Sequence, residues 1–207
     1  MVQTLILGPL GTNCYIYTDD STGLTAVVDP GYPDQRLFAA VAGRQVSHIL
    51  LTHGHADHIL GAHELQMRTG AKVVCHPLEC KRLADPDQSL YNGIGIYTVP
   101  QPMLQASQTV DDGDQVQVGD TVFTVLHTPG HTDGSVCYLA PGLLFSGDTL
   151  FAGSYGRIDF PTGSGTQMTA SFRKLCALPG DYRVLPGHDG ETTLDMERAH
   201  NPLAVYL

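Results

Sequence analysis

Hydrophobic and polar positions change rhythm several times along the chain, and each change marks an element. Residues 4–7, 14–18 and 24–29 are short runs of β-branched, aromatic and aliphatic side chains closed by turn residues, which predict strands. Pro30-Gly31 ends the third run, and Pro33 opens a stretch to about residue 42 with apolar spacing suited to a helix. Proline is tolerated there because a first turn does not need its N–H. Residues 46–52, VSHILLT, form an apolar run of strand length that leads directly into HGHADH. From 57 to 68 the pattern is helical, with Gly70 as its stop. Residues 72–75 predict a strand and 77–83 a short helix.

Residues 85–110 keep no period and are rich in Pro, Gly, Gln and Ser, which predicts a loop beside the site. Strand patterns return at 115–118, 121–126, 136–139 and 143–145. A helix over 166–178, a strand over 183–185 and a helix over 193–200 follow. Strands and helices thus fall into two similar halves, each ending in helical segments. Two sheets stacked face to face with helices outside would bury such strands on both faces. No repeat, charge run or Pro/Ser-rich linker divides the chain, so one domain over residues 1–207 is expected.

Composition narrows the class. At 42% apolar and 15% charged residues the chain reads as globular. Its formal charge of −10, with eleven Lys and Arg, argues against a nucleic-acid or anionic-membrane partner. It does not exclude an anionic substrate, because bound divalent cations would reverse the local field. No apolar run approaches the roughly 20 residues of a membrane span. The opening MVQTLILGPLGTN has neither a basic n-region nor a long apolar h-region, so a cytoplasmic protein is expected. Five scattered cysteines suit reduced, mostly buried thiols.

The candidate chemistry lies in the histidines. His53, His55, Asp57 and His58 place four potential metal ligands within six residues. Alternation along a strand sends residues i and i+2 to one side, so His53 and His55 can converge, with Gly54 allowing close approach. Asp57 and His58 start the following helix and can turn toward a second point nearby. Imidazole and carboxylate together suit zinc, iron or manganese. Three further turns each follow a predicted strand and carry one potential ligand: His131 in TPGHT, Asp148 in SGDT and His188 in PGHD. A shared placement at strand ends makes one convergent rim the economical explanation.

These motifs together resemble the metallo-β-lactamase superfamily: THGHADH at 52–58, GHT at 130–132, SGDT at 146–149, PGH at 186–188, and VVDPG at 27–31 as its first motif. The resemblance implies a four-layer αββα sandwich of two mixed β-sheets with helices on both outer faces. It implies two divalent ions, zinc foremost, with His53, His55 and His131 on one, Asp57, His58 and His188 on the other, and Asp148 bridging. An acid at Asp148 is similar to glyoxalase II (hydroxyacylglutathione hydrolase), whereas true β-lactamases usually carry Cys or Ser there. FAGSYGRIDFP at 151–161 and ERAHNP at 197–202 look like the short glyoxalase II-like hydrolases, which have no separate glutathione-binding helical domain. The implied reaction is hydrolysis of a small acyl-thiol such as S-lactoylglutathione by a metal-bridging hydroxide, formed because coordination lowers the pKa of water from about 15.7 toward about 7. Asp57 would also orient the nucleophile, Asp29 would support a ligand imidazole, and Tyr155 and Arg157 would contact substrate.

Two other classes compete. Persulfide dioxygenases of this fold retain much of the motif and would use one iron on His53, His131 and Asp148. A non-catalytic metal-binding protein is the third reading. Among the remaining histidines, His63 falls about 140° around the helix from His58 and should face solvent. His48, His76, His127 and His200 lack supporting neighbours in the sequence.

Overall fold

The computed structural model describes residues 1–207 and places twelve strands in two six-stranded sheets, one from each half of the chain. The first holds β1 (Val2–Leu7), β2 (Thr12–Thr18), β3 (Leu24–Val28), β4 (Gln45–Leu50), β5 (Lys72–Cys75) and β6 (Gln108–Thr109). The second holds β7 (Gln115–Val118), β8 (Thr121–His127), β9 (Val136–Ala140), β10 (Leu143–Gly147), β11 (Arg183–Pro186) and β12 (Thr192–Thr193). Both sheets are mixed: the first becomes parallel from β3 to β6, and β10–β11 is the parallel pair of the second.

Three apolar layers account for the stacking. Alternation along each strand sends neighbours to opposite faces. Ile16, Val27, Ile49 and Val73 point outward to α1 (Gln35–Val41) and α3 (Ala62–Thr69), meeting Leu37, Phe38 and Leu65. Tyr15, Val28, Leu50 and Val74 point inward to Phe123, Val125, Tyr138 and Phe145 of the facing sheet. On the far side Leu126, Cys137, Leu144 and Val184 meet Met168, Phe172 and Leu175 of α5 (Gly165–Cys176) and Leu194 of α6 (Leu194–His200). Three cores between four layers make the αββα sandwich expected from the sequence. Each large side chain buried there contributes roughly 1.5–3 kcal/mol by leaving water.

Hydrogen bonds lock the two sheets together beside the segments that carry the candidate ligands. The Tyr138 hydroxyl donates to Leu51 O at 3.0 Å, and Val136 N–H donates to Thr52 O at 2.9 Å. Asn13 N–H donates to Gly187 O at 2.7 Å.

Several elements differ from the sequence reading. The expected short helix over 77–83 is only the 3-10 turn Pro77–Glu79, and β12 at Thr192–Thr193 adds a strand to those expected. The expected helix over 57–68 is two helices, α2 (Ala56–Ile59) and α3. They break at Gly61, whose N–H leaves the ladder for Pro30 O at 2.8 Å. A Cβ at Gly61 would sit 2.5 Å from that oxygen, so only glycine fits the approach. The stretch 85–110 is mostly irregular, as expected, but contains α4 (Tyr91–Ile94) and the short edge strand β6. No helix is long and apolar enough to cross a membrane.

Candidate metal centre

The carboxyl ends of β4, β8, β10 and β11 deliver the seven side chains to one place. β4 ends at Leu50, two residues sooner than its apolar run, because Thr52 N–H turns to Asp29 Oδ1 at 2.8 Å. The freed segment carries His53 and His55. Asp57 and His58 follow inside α2, whose N-cap position is His55. Gly54 makes this path possible, since a Cβ there would lie 2.6 Å from Arg82 Cβ. Gly187 does the same in the last turn, where a Cβ would stand 2.2 Å from Asp148 Oδ1.

Two triads result, each with ligand atoms within 4.8 Å of one another: His53, His55 and His131, and Asp57, His58 and His188. In the first, His55 Nδ1 lies 3.1 Å from His53 Nε2 and 2.9 Å from His131 Nε2. In the second, Asp57 Oδ2 lies 3.2 Å from His188 Nε2 and 3.5 Å from His58 Nε2. Asp148 stands between them, with Oδ1 3.4 Å from His58 Nε2 and Oδ2 3.5 Å from His131 Nε2 and 3.7 Å from His188 Nε2.

The proton positions favour cations over a hydrogen-bonded cluster. His131 Nδ1 donates to Arg157 O at 2.7 Å, and His58 Nδ1 donates to Asp29 Oδ2 at 2.9 Å. Each therefore turns an Nε2 lone pair inward, the usual way a ligand imidazole is oriented from behind. One proton on His55 Nδ1 can serve only one of its two nitrogen neighbours. His58 Nε2 and Asp148 Oδ1 are buried with no hydrogen-bond partner at all. Orphans of this kind cost about 1–3 kcal/mol each, and divalent cations between the triads would satisfy both.

Electrostatics point the same way. Burial, then the neighbouring His58, holds His53 well below the usual histidine range. Burial and His131 push His55 down to about 3, so both are neutral imidazoles near neutral pH, the form in which histidine can take a metal. Burial opposes charge on His58, yet Asp57, Asp148 and Asp29 together outweigh it and raise its affinity for a proton. His53 and His55 thus present neutral nitrogens, and the carboxylates gather around the second triad.

His55, His131, Asp57, His188 and Asp148 line a cavity of about 540 Å³ walled by Leu10, Leu90, Ile94, Phe151 and Phe160. Leu90 and Ile94 come from the irregular 85–110 stretch, and composition alone did not single them out. Arg157 also lines this cavity, but its guanidinium is held by Asp159 at 2.8–2.9 Å and lies 4.2 Å over the Phe160 ring. The structure places Tyr155 elsewhere, beside Ile158, Met168 and Leu203 in a separate cavity next to α5. Asp29 adopts a left-handed φ of 48° and takes the Thr52 N–H and hydroxyl as well as His58. The ERAHNP segment braces the site from outside: buried Glu197 takes Gly153 N–H, and Asn201 donates to Ser154 O at 2.9 Å.

The remaining histidines stay apart from the site. His63 is half-buried on α3 and His200 is exposed. His76 and His127, which lack neighbours in the sequence, stack with centroids 4.3 Å apart and planes 8° from parallel. Asp111 lies 3.5 Å from His76. Parallel rings cannot aim two in-plane lone pairs at one ion, and His76 Nδ1 already accepts Leu78 N–H.

Comparison with known proteins agrees with the geometry. A hydroxyacylglutathione hydrolase, GloC, of Haemophilus influenzae is 32% identical over 197 residues, covering 92% of this chain and 91% of that protein. Among solved structures, TTHA1623 in a di-iron-bound form aligns with a TM-score of 0.85 at 34% identity, covering 97% and 99% of the two chains. The BLEG-1 B3 metallo-β-lactamase aligns with a TM-score of 0.88 at 33% identity over 98% of each chain. The family model for the metallo-β-lactamase superfamily matches residues 7–188, the span from the end of β1 to the last histidine of the site, and the chain belongs to that superfamily.

Proposed function

We propose that this protein is a dinuclear metal-dependent hydrolase of thioesters, acting on small acyl-thiols such as S-lactoylglutathione. The observation that carries this reading is Asp148, whose two oxygens face ligands of both triads while one of them has no other partner. His53, His55 and His131 would hold one ion and Asp57, His58 and His188 the other. When bound, such a pair supplies Lewis acidity and a water acidic enough to ionise near neutral pH. Zinc suits this donor set, and the di-iron form of TTHA1623 supports iron as a second occupant.

The chain's own residues do the rest. Asp57 borders the cavity and receives the Thr12 hydroxyl at 3.1 Å, which fixes its carboxylate where it can hold the proton of an attacking water. His131 is oriented through Arg157 O, so the segment that lines the cavity also aims a ligand. The apolar wall of Leu90, Ile94, Phe151 and Phe160 receives carbon-rich parts of the substrate and keeps bulk water from the acyl carbon.

The test is metal analysis of the purified protein joined to a screen of S-acylglutathiones, other thioesters and a β-lactam. Thioester turnover should dominate. His131→Ala should lower metal content and remove most turnover, whereas His63→Ala, far from the cavity, should change either by less than about twofold. Equal losses from both variants, or a metal-loaded protein that cleaves the lactam and no thioester, would refute the proposal.

A further inference from the structure

We propose that Glu79 is a positioning residue for one metal position only, that of His53, His55 and His131. The inference rests on the dinuclear reading above. Glu79 ends the 3-10 turn Pro77–Glu79 that follows β5, and it is completely buried. It belongs to neither triad. Its Oε2 accepts Gly54 N–H at 2.8 Å and faces Arg82 Nη1 at 3.1 Å. Its Oε1 accepts the Thr132 hydroxyl at 2.6 Å.

Those partners sit where they matter. Gly54 lies between His53 and His55, and Thr132 directly follows His131. One carboxylate therefore clamps, from behind, both segments that supply the three nitrogens. Charge and space keep the clamp specific. Arg82, itself buried, extends it to Asp133 at 2.9 Å and Thr162 at 2.8 Å. A Cβ on Gly134 would meet Oε1 at 2.6 Å, so the carboxylate fills its slot without slack.

The other triad is braced by different groups. Asp29 holds His58, Thr12 holds Asp57, and Asn13 Nδ2 donates to Pro186 O at 3.0 Å and Asp189 O at 2.9 Å on either side of His188. None of these bonds reaches Glu79. Asp29 also takes the Thr52 N–H and hydroxyl beside His53 and so supports both positions. Glu79 reaches only the first, and Thr12 and Asn13 only the second; loss of one of those three should be felt at one position. Supporting groups behind metal ligands typically govern affinity by about 10–100-fold.

The experiment titrates metal-free full-length protein with Zn²⁺ against a competing chelator and maps occupancy at limiting zinc by anomalous diffraction. Wild type should bind two ions. Glu79→Gln should weaken one binding step by about 10–100-fold and empty the His53/His55/His131 position while the other stays filled. Thr12→Val, which removes the hydroxyl held to Asp57, should do the reverse. Should Glu79→Gln fail to fold, Thr132→Val removes one arm of the clamp at nearly constant volume and should give a smaller loss at the same position. A merely structural role predicts equal weakening of both positions. That result, or unchanged binding in both variants, would overturn the proposal and leave the dinuclear reading standing. Absence of zinc binding by wild type would overturn both.

Discussion

Asp148→Ala should lower thioester turnover by at least about a thousandfold and reduce the number of ions held. The carboxylate is the one group whose oxygens face His58, His131 and His188 together, at 3.4–3.7 Å. On the dinuclear reading its loss would remove a shared ligand and one negative charge, and two bound cations would repel each other with less screening. Electrophilic stabilisation by a metal is worth several kcal/mol, and each 1.36 kcal/mol is tenfold in rate, so about 4 kcal/mol gives the thousandfold. Steady-state kinetics with metal analysis on the same sample checks it. Full occupancy and near-normal rates in the variant would remove Asp148 from the chemistry.

Metal removal should cost the protein roughly 10–20 °C of thermal stability. Without cations, His58 Nε2 and Asp148 Oδ1 lack a hydrogen-bond partner, and one proton on His55 Nδ1 faces two nitrogen neighbours. Ligand present at a hundred times its dissociation constant stabilises by about 2.7 kcal/mol per site, or roughly 5 kcal/mol for two. For a chain near 200 residues each kcal/mol shifts the midpoint by about 2–4 °C. Thermal unfolding before and after chelation, with zinc added back, measures the shift. His131→Ala should shrink it, and an unchanged midpoint after complete removal would show that the native state gains nothing from metal.

Legibility in the sequence followed the range of the forces involved. Strand alternation is local, so ten of the twelve strands could be read, all but the two-residue edge strands β6 and β12, and the two-sheet arrangement followed from having two similar halves. The seven candidate ligands could be read because four lie in one HGHADH segment after a strand and the other three each follow a Gly in a turn after a strand, His131 and His188 after Pro-Gly and Asp148 after Gly147. What escaped depends on long-range contacts. β4 ends early because Asp29, 23 residues upstream, captures Thr52. The helix after HGHADH breaks because Pro30 O reaches Gly61. Tyr155 follows Asp148 closely in sequence, yet the chain turns it toward α5 and away from the cavity. Glu79 carried no periodic or motif signal, and its importance lies wholly in burial and in partners 25 and 53 residues away.

Anomalous diffraction from crystals of the metal-loaded protein tests the central claim most directly. The account predicts two peaks about 3.5–4 Å apart, one against His53, His55 and His131, the other against Asp57, His58 and His188, with Asp148 touching both. A single peak, or ions bound away from these side chains, would contradict it.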